Sequence, residues 1–399
     1  MPTDPWCLDP RITMLNHGSF GACPRPVLEL QERLRERMER RPVRFLVDDL
    51  PPLLDESRRA LAGLIGGRPE NLVFVTNATA GVNAVLRSLP FRPGDELLIT
   101  DHGYNACSNV ARYVAGRTGA KVVVARIPIP IASPGQVVEA VLACVTDRTR
   151  LALIDHVTSP TAVVFPIAEL VRRLAERGVD TLVDGAHGPG LVALELDRLG
   201  AAYYTGNCHK WLCAPKGSGF LYIRPDRQEG IEPPVISHGY NQARLGYTRF
   251  QDAFDWQGTF DPTPFLCIGE AIRFVSGLVA GGLEALMRAN REQALAGARL
   301  LGERLGLQPV CAESMLAAMV ALALPDSPEA TAVADPAAPV PLPRLGRALF
   351  DRHALEVPVH YWPAPPRTLL RISAQAYNHL DDYDRLARAL ADLLGTPRP

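Results

Sequence analysis

Lysine is almost absent from this chain. Of the 42 basic residues among 399, only Lys121, Lys210 and Lys216 are lysines, and arginine supplies the rest. Arginine stays charged near neutral pH, whereas a buried lysine can lose its proton and form an imine with a carbonyl group. Two of the three lysines fall in TGNCHKWLCAPKGSG, residues 205–219. These two lysines could be surface residues that remain there by chance, or the protein could require an amine at this place.

Several other features are missing. No apolar run approaches the roughly 20 residues of a membrane span, and the net charge of -1 gives no basic footprint for nucleic acid or a membrane surface. The start, MPTDPWCLDPRITML, has neither the basic nor the apolar region of a signal peptide, which predicts a cytoplasmic protein. Even the closest of the eight cysteines, Cys208 and Cys213, lack CxxC spacing, so we expect free thiols and no metal site.

Short apolar runs alternate with helical patterns from about residue 72 onward, and this predicts a mainly parallel sheet covered by helices on both faces. The predicted strands are NLVFVT, ELLIT, KVVVA, RLALIDHV, VDTLVDG, AAYYT and GFLYI. Arg/Glu-rich helices are expected near 24–41 and 51–66, further helices near 266–306, and a final strand and helix at RTLLRISAQAYN and after HLDDYD. The Pro/Ala-rich stretch 325–343 is predicted to be an exposed loop. In such a sheet, ligands bind at the carboxyl ends of the strands.

Chemically useful side chains follow these strands directly. Asp184 ends VDTLVDG, His187 comes three residues later, and Lys210 follows the next run. The acid could be a simple cap, and the acid and lysine could be an ion pair. They could also hold a pyridine-aldehyde cofactor, with the lysine on its carbonyl and the acid on its ring nitrogen.

Two further strand ends carry weaker signals. VTNATAGVNAV is a strand, a turn and a helix start, which offers free backbone N-H groups to a phosphate near Thr79. Thr79 could equally be a helix cap. ITDHGYNAC brings His102 and Tyr104 to the next strand end, where an aromatic ring could cover a flat ligand.

The order of NATAGVN, DHGYNA, DHVTSPTAVVFPI, VDGAHGPG, NCHKWL, DWQGTFDP and RISAQAYN resembles the class V aminotransferase family of fold-type I pyridoxal-phosphate enzymes. LNHGSFGACPRPVLEL and HKWLCAPKGSGFL further resemble the isopenicillin N epimerase branch of that family. The resemblance spans nearly the whole chain. It implies an α/β fold with a large domain at 20–262 and a smaller α+β domain formed by 1–19 and 263–399.

The resemblance also assigns roles to individual residues. It makes Lys210 the imine-forming lysine, Asp184 the partner of the pyridine nitrogen, His187 a neighbour of the phenolic oxygen and Tyr104 the ring-stacking residue. The remaining implied contacts are Ala78, Thr79, Asn207 and His209 at the phosphate, Ser159 in place of the family's asparagine near the phenolic oxygen, Thr259 at the phosphate of the partner subunit, Arg371 at the substrate carboxylate, and His17 and Gly18 at the substrate. The cofactor implied is pyridoxal 5′-phosphate, and the role of Thr259 implies a homodimer with shared active sites.

Several activities remain open on this basis. The branch implies an epimerase or racemase that acts on the α-carbon of an amino acid or small peptide, and such a reaction needs a second proton donor among Tyr104, His17 and His360. A C-S lyase that acts on a cysteine derivative, an aminotransferase and a cofactor-binding protein without activity are the alternatives. Cysteine desulfurases of the family need a cysteine shortly before the carboxylate-binding arginine, and HALEVPVHYWPAPPRTLLRIS contains none. Persulfide-forming desulfuration is therefore not expected.

Overall fold

The computed structural model describes residues 5–326 and 343–395. The predicted Pro/Ala-rich loop at 325–343 therefore lies almost entirely outside the described residues. In the described part, the strands are β1 Thr13–Met14, β2 Leu72–Val75, β3 Glu96–Thr100, β4 Lys121–Ala125, β5 Thr149–Asp155, β6 Asp180–Gly185, β7 Tyr203–Asn207, β8 Gly219–Ile223, β9 Gln308–Pro309, β10 Met319–Leu324, β11 Leu355–Glu356, β12 Val359–Tyr361 and β13 Thr368–Ser373.

The helices account for the remaining regular structure. They are α1 His17–Phe20, α2 Arg25–Arg40, α3 Pro42–Arg44, α4 Leu50–Leu64, α5 Ala78–Ser88, α6 Asn105–Thr118, α7 Pro134–Leu142, α8 Ile167–Ala175, α9 Leu196–Leu199, α10 Arg249–Asp255, α11 Thr263–Leu266, α12 Ile268–Gly277, α13 Gly282–Leu305, α14 Arg344–His353 and α15 Leu380–Leu394. A π-helical turn, Phe45–Asp49, joins α3 to α4.

The main sheet has seven strands in the order β2-β8-β7-β6-β5-β3-β4. The pairs from β7 through to β4 are parallel, and only β8 runs against its neighbours β2 and β7. The predicted mainly parallel sheet is confirmed. Its central strands are buried on both faces, as their near-continuous apolar runs require.

Strand register fixes which side chains meet at the carboxyl edge of this sheet. On β5 and β6, the last paired residues are Asp155 and Asp184, which lie directly opposite each other. The loop that carries Lys210 leaves β7, the neighbour of β6 on the other side. The loop that carries Tyr104 leaves β3, beyond β5. The site is therefore built around the end of β6.

A second, antiparallel sheet has the order β12-β13-β10-β9 and contacts the long helix α13. The N-terminal segment reaches this part of the molecule, because β1 pairs with β11 and Thr13 lies opposite Leu355. The division of the chain at residues 20 and 262 stays a prediction. In the part of the chain that the structure describes, no single helix is long and apolar enough to span a membrane, although the bent pair Thr263–Gly277 and Gly282–Leu305 passes that test together.

Candidate active site

A cavity of about 570 Å³ opens at the carboxyl edge of the main sheet. Most of the site residues that were predicted from the sequence line this cavity. Its lining is Ser19, Phe20, Thr76, Asn77, Ala78, Thr79, Tyr104, Ser159, Asp184, Ala186, His187, Asn207, His209, Lys210, Lys216 and Gly217.

Lys210 is held from behind by the segment around α1. His17 is fully buried; its Nε2 donates to the Lys210 carbonyl at 3.1 Å, and its Nδ1 accepts from the Tyr377 hydroxyl at 3.0 Å. Gly21 has φ of +69°, and a Cβ there would lie 2.6 Å from the Lys210 carbonyl oxygen. Glycine is therefore required at this approach. These contacts fix the lysine backbone and leave its side chain to enter the cavity.

The Lys210 amine lies 3.2 Å from His187 Nε2, and Trp211 Nε1 donates to His187 Nδ1 at 3.3 Å. Since Nδ1 accepts, the hydrogen of a neutral His187 is on Nε2 and points to the amine. Burial and the Lys210 charge hold the pKa of His187 well below its ordinary value. Burial, with the Arg371 charge, lowers the pKa of Lys210 to about 8. The Lys210 amine therefore loses its proton more readily than an ordinary lysine amine does.

Asp184 is buried and uses both carboxylate oxygens. Oδ1 accepts from the Ala186 N-H, and Oδ2 accepts from the Cys107 thiol, each at 3.0 Å. The neighbouring Asp155 is also buried, and burial together with the Asp184 charge raises its pKa well above the ordinary value. Asp155 therefore holds its proton more tightly than an ordinary carboxyl group does. Asp155 and Cys107 were not predicted from the sequence as site residues, although Cys107 lies three residues after Tyr104 at the start of α6.

The N-terminus of α5 forms another wall. Asn77 caps the helix by accepting from the Ala80 N-H at 2.9 Å, and the Ala78 N-H donates to Asn207 Oδ1 at 2.8 Å. His209 Nδ1 donates to the Ser218 carbonyl at 2.9 Å, which leaves Nε2 for the cavity. A helix N-terminus beside polar side chains suits an anion.

Tyr104 and His102 differ sharply despite their proximity in sequence. His102 is completely buried, with Nδ1 2.7 Å from Thr161 Oγ1 and Nε2 2.7 Å from the Ile127 carbonyl. The Tyr104 side chain is 44% exposed and lines the cavity. The structure thus places Tyr104, and not His102, where a ligand ring can be reached.

Arg371 is fully buried just behind the cavity wall. Its Nη1 donates to the Ser159 carbonyl at 2.6 Å and to Ser159 Oγ at 3.2 Å, and Nη2 donates to Ser19 Oγ at 2.8 Å. Its Nε has no hydrogen-bond partner. Burial lowers the pKa of Arg371 to about 10. Ser19 and Ser159 therefore hold the guanidinium directly behind the cavity surface.

Four predicted site residues do not line the cavity, and one of them is Arg371, which lies behind its wall. His17 lies behind Lys210, as described above. Gly18 packs against the small sheet, where an added Cβ would lie 2.4 Å from Met319 Sδ. Thr259 is exposed outside the cavity. Ser19, Phe20 and Lys216 line it instead; the first two directly follow the predicted HG pair, so their position in sequence was the available signal.

Comparison with known protein families identifies the class of this protein. The sequence model described as aminotransferase class-V matches residues 41–316. The chain belongs to this family.

Individual proteins are similar to this chain over nearly its whole length. An isopenicillin N epimerase of Amycolatopsis lactamdurans is 38% identical over 97% of this chain and 96% of its own length. A protein of Arabidopsis thaliana named probable L-cysteine desulfhydrase, chloroplastic, is 31% identical over 97% of this chain and 84% of its own.

Among solved structures, the cystine C-S lyase C-DES in complex with its product cysteine persulfide superposes with a TM-score of 0.80, at 21% identity, over 96% of this chain and 98% of that chain. Another structure of C-DES carries glycine covalently linked to its PLP cofactor. This likeness shows that the fold is the one predicted, that of the fold-type I enzymes.

Proposed function

We propose that this protein is a pyridoxal 5′-phosphate enzyme that inverts the α-carbon of an amino acid or small peptide, in the manner of an isopenicillin N epimerase. The observation that carries the proposal is the Lys210 amine, buried, 3.2 Å from His187 Nε2 and with a pKa of about 8. The epimerase relative, 38% identical over nearly the whole chain, supports the choice of reaction.

The described residues fit this cofactor. A buried lysine with a lowered pKa suits its carbonyl carbon, and the Asp184 carboxylate at the end of β6 suits its pyridine nitrogen. Ala78 and Thr79 at the start of α5 would hold the phosphate, with Asn207 and His209. Tyr104 would lie against one face of the ring. His187 and Ser159 would lie near the phenolic oxygen.

When bound, the cofactor supplies an electron sink that makes removal of an α-proton possible. The protein must supply the rest. Arg371 would orient the substrate through its carboxylate, with Ser19 and Ser159 holding the guanidinium in place. The Lys210 amine, whose pKa burial lowers to about 8, would accept the α-proton in its deprotonated form.

We also propose a homodimer with shared sites. The exposed position of Thr259, outside its own cavity, supports a role in the cavity of a partner subunit. Apolar side chains exposed on the same chain, including Val43, Val47 and Leu245, give a second copy something to cover. Light scattering after gel filtration tests the dimer. Activity recovered by mixing inactive Lys210→Ala and Thr259→Ala chains tests the sharing.

A C-S lyase is the second candidate, because the Arabidopsis relative carries the name of a cysteine desulfhydrase. Loss of a β-substituent starts with the same proton abstraction, so the described site serves both reactions. A persulfide route is not proposed, since the described stretch before Arg371 holds no cysteine.

Proton NMR in deuterated buffer separates the candidates. The purified protein, loaded with pyridoxal 5′-phosphate, is given isopenicillin N in one sample and L-cysteine in another. Loss of the α-proton signal with appearance of the opposite epimer, and no keto acid, is the expected result. Release of pyruvate and sulfide from L-cysteine without epimerisation would replace the epimerase with the lyase. A Lys210→Ala variant should do neither and serves as the control.

A further inference from the structure

Inversion of an α-carbon needs two proton carriers, one for each face of the carbon. Lys210 serves one face in the proposed function. Tyr104, His17 and His360 are the side chains to weigh for the other face, and the structure separates them.

His17 is excluded by its hydrogen bonds. Both ring nitrogens are engaged, one with the Lys210 carbonyl and one with the Tyr377 hydroxyl, and the ring is completely buried. Burial also lowers its pKa to about 3, so it does not carry a proton at neutral pH. His17 supports the backbone of Lys210 from behind and has no path to a substrate.

His360 lies on β12 and does not line the cavity. It faces the same side of the β12-β13 ladder as Arg371, because it pairs with Leu369, two residues before that arginine. Its Nε2 is buried without a partner, and burial with the Arg371 charge lowers its pKa to about 4. It is therefore a neutral neighbour of the guanidinium rather than a group that faces substrate.

Tyr104 meets the requirement for a second proton carrier, which His17 and His360 do not meet. It lines the cavity, and among the described residues its hydroxyl has no hydrogen-bond partner. The backbone at Tyr104 is fixed, since it is the N-cap residue of α6 and its N-H is hydrogen-bonded to the buried Asp155. The fixed backbone of Tyr104 therefore holds its free hydroxyl at the cavity.

The order of strands places Tyr104 and Lys210 on opposite sides of the site. Asp184 ends β6. Lys210 comes from β7, on one side of β6, and Tyr104 comes from β3, on the other side beyond β5. The amine and the phenol therefore approach the end of β6 from opposite sides of that strand.

Arg371 connects the two. Together with burial, its charge lowers the pKa of the Lys210 amine, and Tyr104 in turn opposes the lowering of the pKa of Arg371 by burial. A carboxylate bound at Arg371 would place the adjoining α-carbon in the cavity that the Lys210 and Tyr104 side chains line. We propose that the Tyr104 hydroxyl is the second proton carrier, on the face of the α-carbon opposite Lys210; this rests on the proposed epimerase function.

The proton balance closes without any further reagent. The α C-H bond breaks and its proton goes to the Lys210 amine, which becomes an ammonium. A new C-H bond forms on the other face with the proton from the Tyr104 hydroxyl, which leaves a phenolate beside Arg371. Solvent at the cavity mouth returns the phenol proton and accepts the ammonium proton. In the reverse direction the phenolate is the base and the ammonium is the acid.

Tyr104→Phe keeps the ring and removes only the hydroxyl. Both epimers of isopenicillin N are incubated with this variant in deuterated buffer, with Tyr113→Phe, an exposed tyrosine of α6, as the matched control. We expect Tyr104→Phe to exchange the α-proton of one epimer with retention, within about threefold of the unmodified rate, because Lys210 is intact. Conversion to the other epimer should fall by about 100-fold or more, the usual contribution of a general acid.

A readout independent of turnover accompanies this test. The visible absorbance of the bound cofactor and the affinity of the apoprotein for pyridoxal 5′-phosphate should match the unmodified protein, which shows that the stacking ring is in place. Tyr104→His, which restores a titratable ring, should recover part of the conversion and move its pH profile toward the histidine range.

Unchanged epimerisation by Tyr104→Phe would overturn the assignment of Tyr104 and leave the epimerase proposal standing. Equal loss of exchange and conversion would also overturn it, because the tyrosine would then only position the cofactor. If the unmodified protein exchanges the α-proton of neither epimer, the proposed function itself fails, and the role of Tyr104 fails with it.

Discussion

Trp362 packs against His102 with the two ring centroids 4.4 Å apart, and its Nε1 donates to the Asp101 carbonyl at 3.3 Å. This pair joins the β12-β13 loop, just before Arg371, to the β3-α6 loop that carries Tyr104. The strand that carries Arg371 and the loop that carries Tyr104 are thus linked by this aromatic contact and this hydrogen bond.

Removal of this contact should loosen both loops. Trp362→Ala is expected to lower the free energy of unfolding by about 3 kcal/mol, as large-to-small changes of buried aromatics do. Urea denaturation measures it. Trp362→Phe keeps an aromatic ring and loses only the hydrogen bond, so it should cost about 1 kcal/mol. Equal stability of the two variants would contradict the packing role.

Arg58 belongs to a buried ion network. Its guanidinium is 1% exposed and contacts Asp55 and Asp255, each at 2.5 Å, while Arg244 reaches Asp255 at 2.8 Å. Arg58→Met leaves the buried Asp255 carboxylate with Arg244 as its one remaining cation of this network and should destabilise the protein by about 3–5 kcal/mol. The exposed Arg172, paired with Glu176, is the control, and Arg172→Met should cost under about 1 kcal/mol. Similar losses in urea for both variants would refute this difference.

His156 should make stability depend on pH. It is buried with Nδ1 2.9 Å from the Tyr204 hydroxyl, and burial lowers its pKa to about 4. Because the unfolded chain binds this proton at a higher pH than the folded protein, the stability it contributes is intact above about 6.5 and is lost as the pH falls toward 4.

The size of this effect can be isolated with a variant. His156→Gln should flatten the loss of unfolding free energy between pH 7 and pH 4 by about 3 kcal/mol relative to the unmodified protein. His238→Gln, at an exposed histidine, should leave the slope as it is. Parallel pH profiles for the unmodified protein and His156→Gln would show that His156 does not remain neutral.

Cofactor uptake should report the state of Lys210. Since the neutral amine reacts with the aldehyde and the pKa of Lys210 is about 8, the uptake rate of the apoprotein should rise with pH through a midpoint near 8 and level off at higher pH. Arg371→Leu removes a nearby positive charge and should move the midpoint to higher pH. Arg367→Leu, at an exposed arginine directly before β13, should not move it. A common midpoint for all three proteins would exclude the charge effect.

Local patterns predicted the strands and helices well where apolar periodicity was continuous. The helices expected near 24–41 and 51–66 appear as α2 and α4, and the region 266–306 is divided into α11, α12 and α13. The break before α13 coincides with Gly281 and Gly282, both at positive φ. The π-helical turn Phe45–Asp49 had no signal in the periodicity, because its apolar residues fit a continuous helix equally well.

The site was predictable where residues follow strands directly, as Asp184 and Lys210 do, because parallel strand ends must meet. It was not predictable where contacts are long-range. His17 contacts Lys210 across 193 positions, and Arg371 contacts Ser159 across 212. A sequence gives the identity of such side chains, but only the packed structure gives the side from which they approach.

Because two of the three lysines line the cavity, an amine-reactive reagent can be used to probe it. Lys210 and Lys216 line it, whereas Lys121 is exposed on the edge strand β4. An acylating reagent meets no other lysine. Peptide mass spectrometry after brief labelling can therefore read cavity occupancy as loss of label from Lys210 and Lys216, which share the arginine-bounded stretch 199–224, with Lys121 as an internal reference. Trypsin still cleaves at the many arginines, which the reagent leaves untouched.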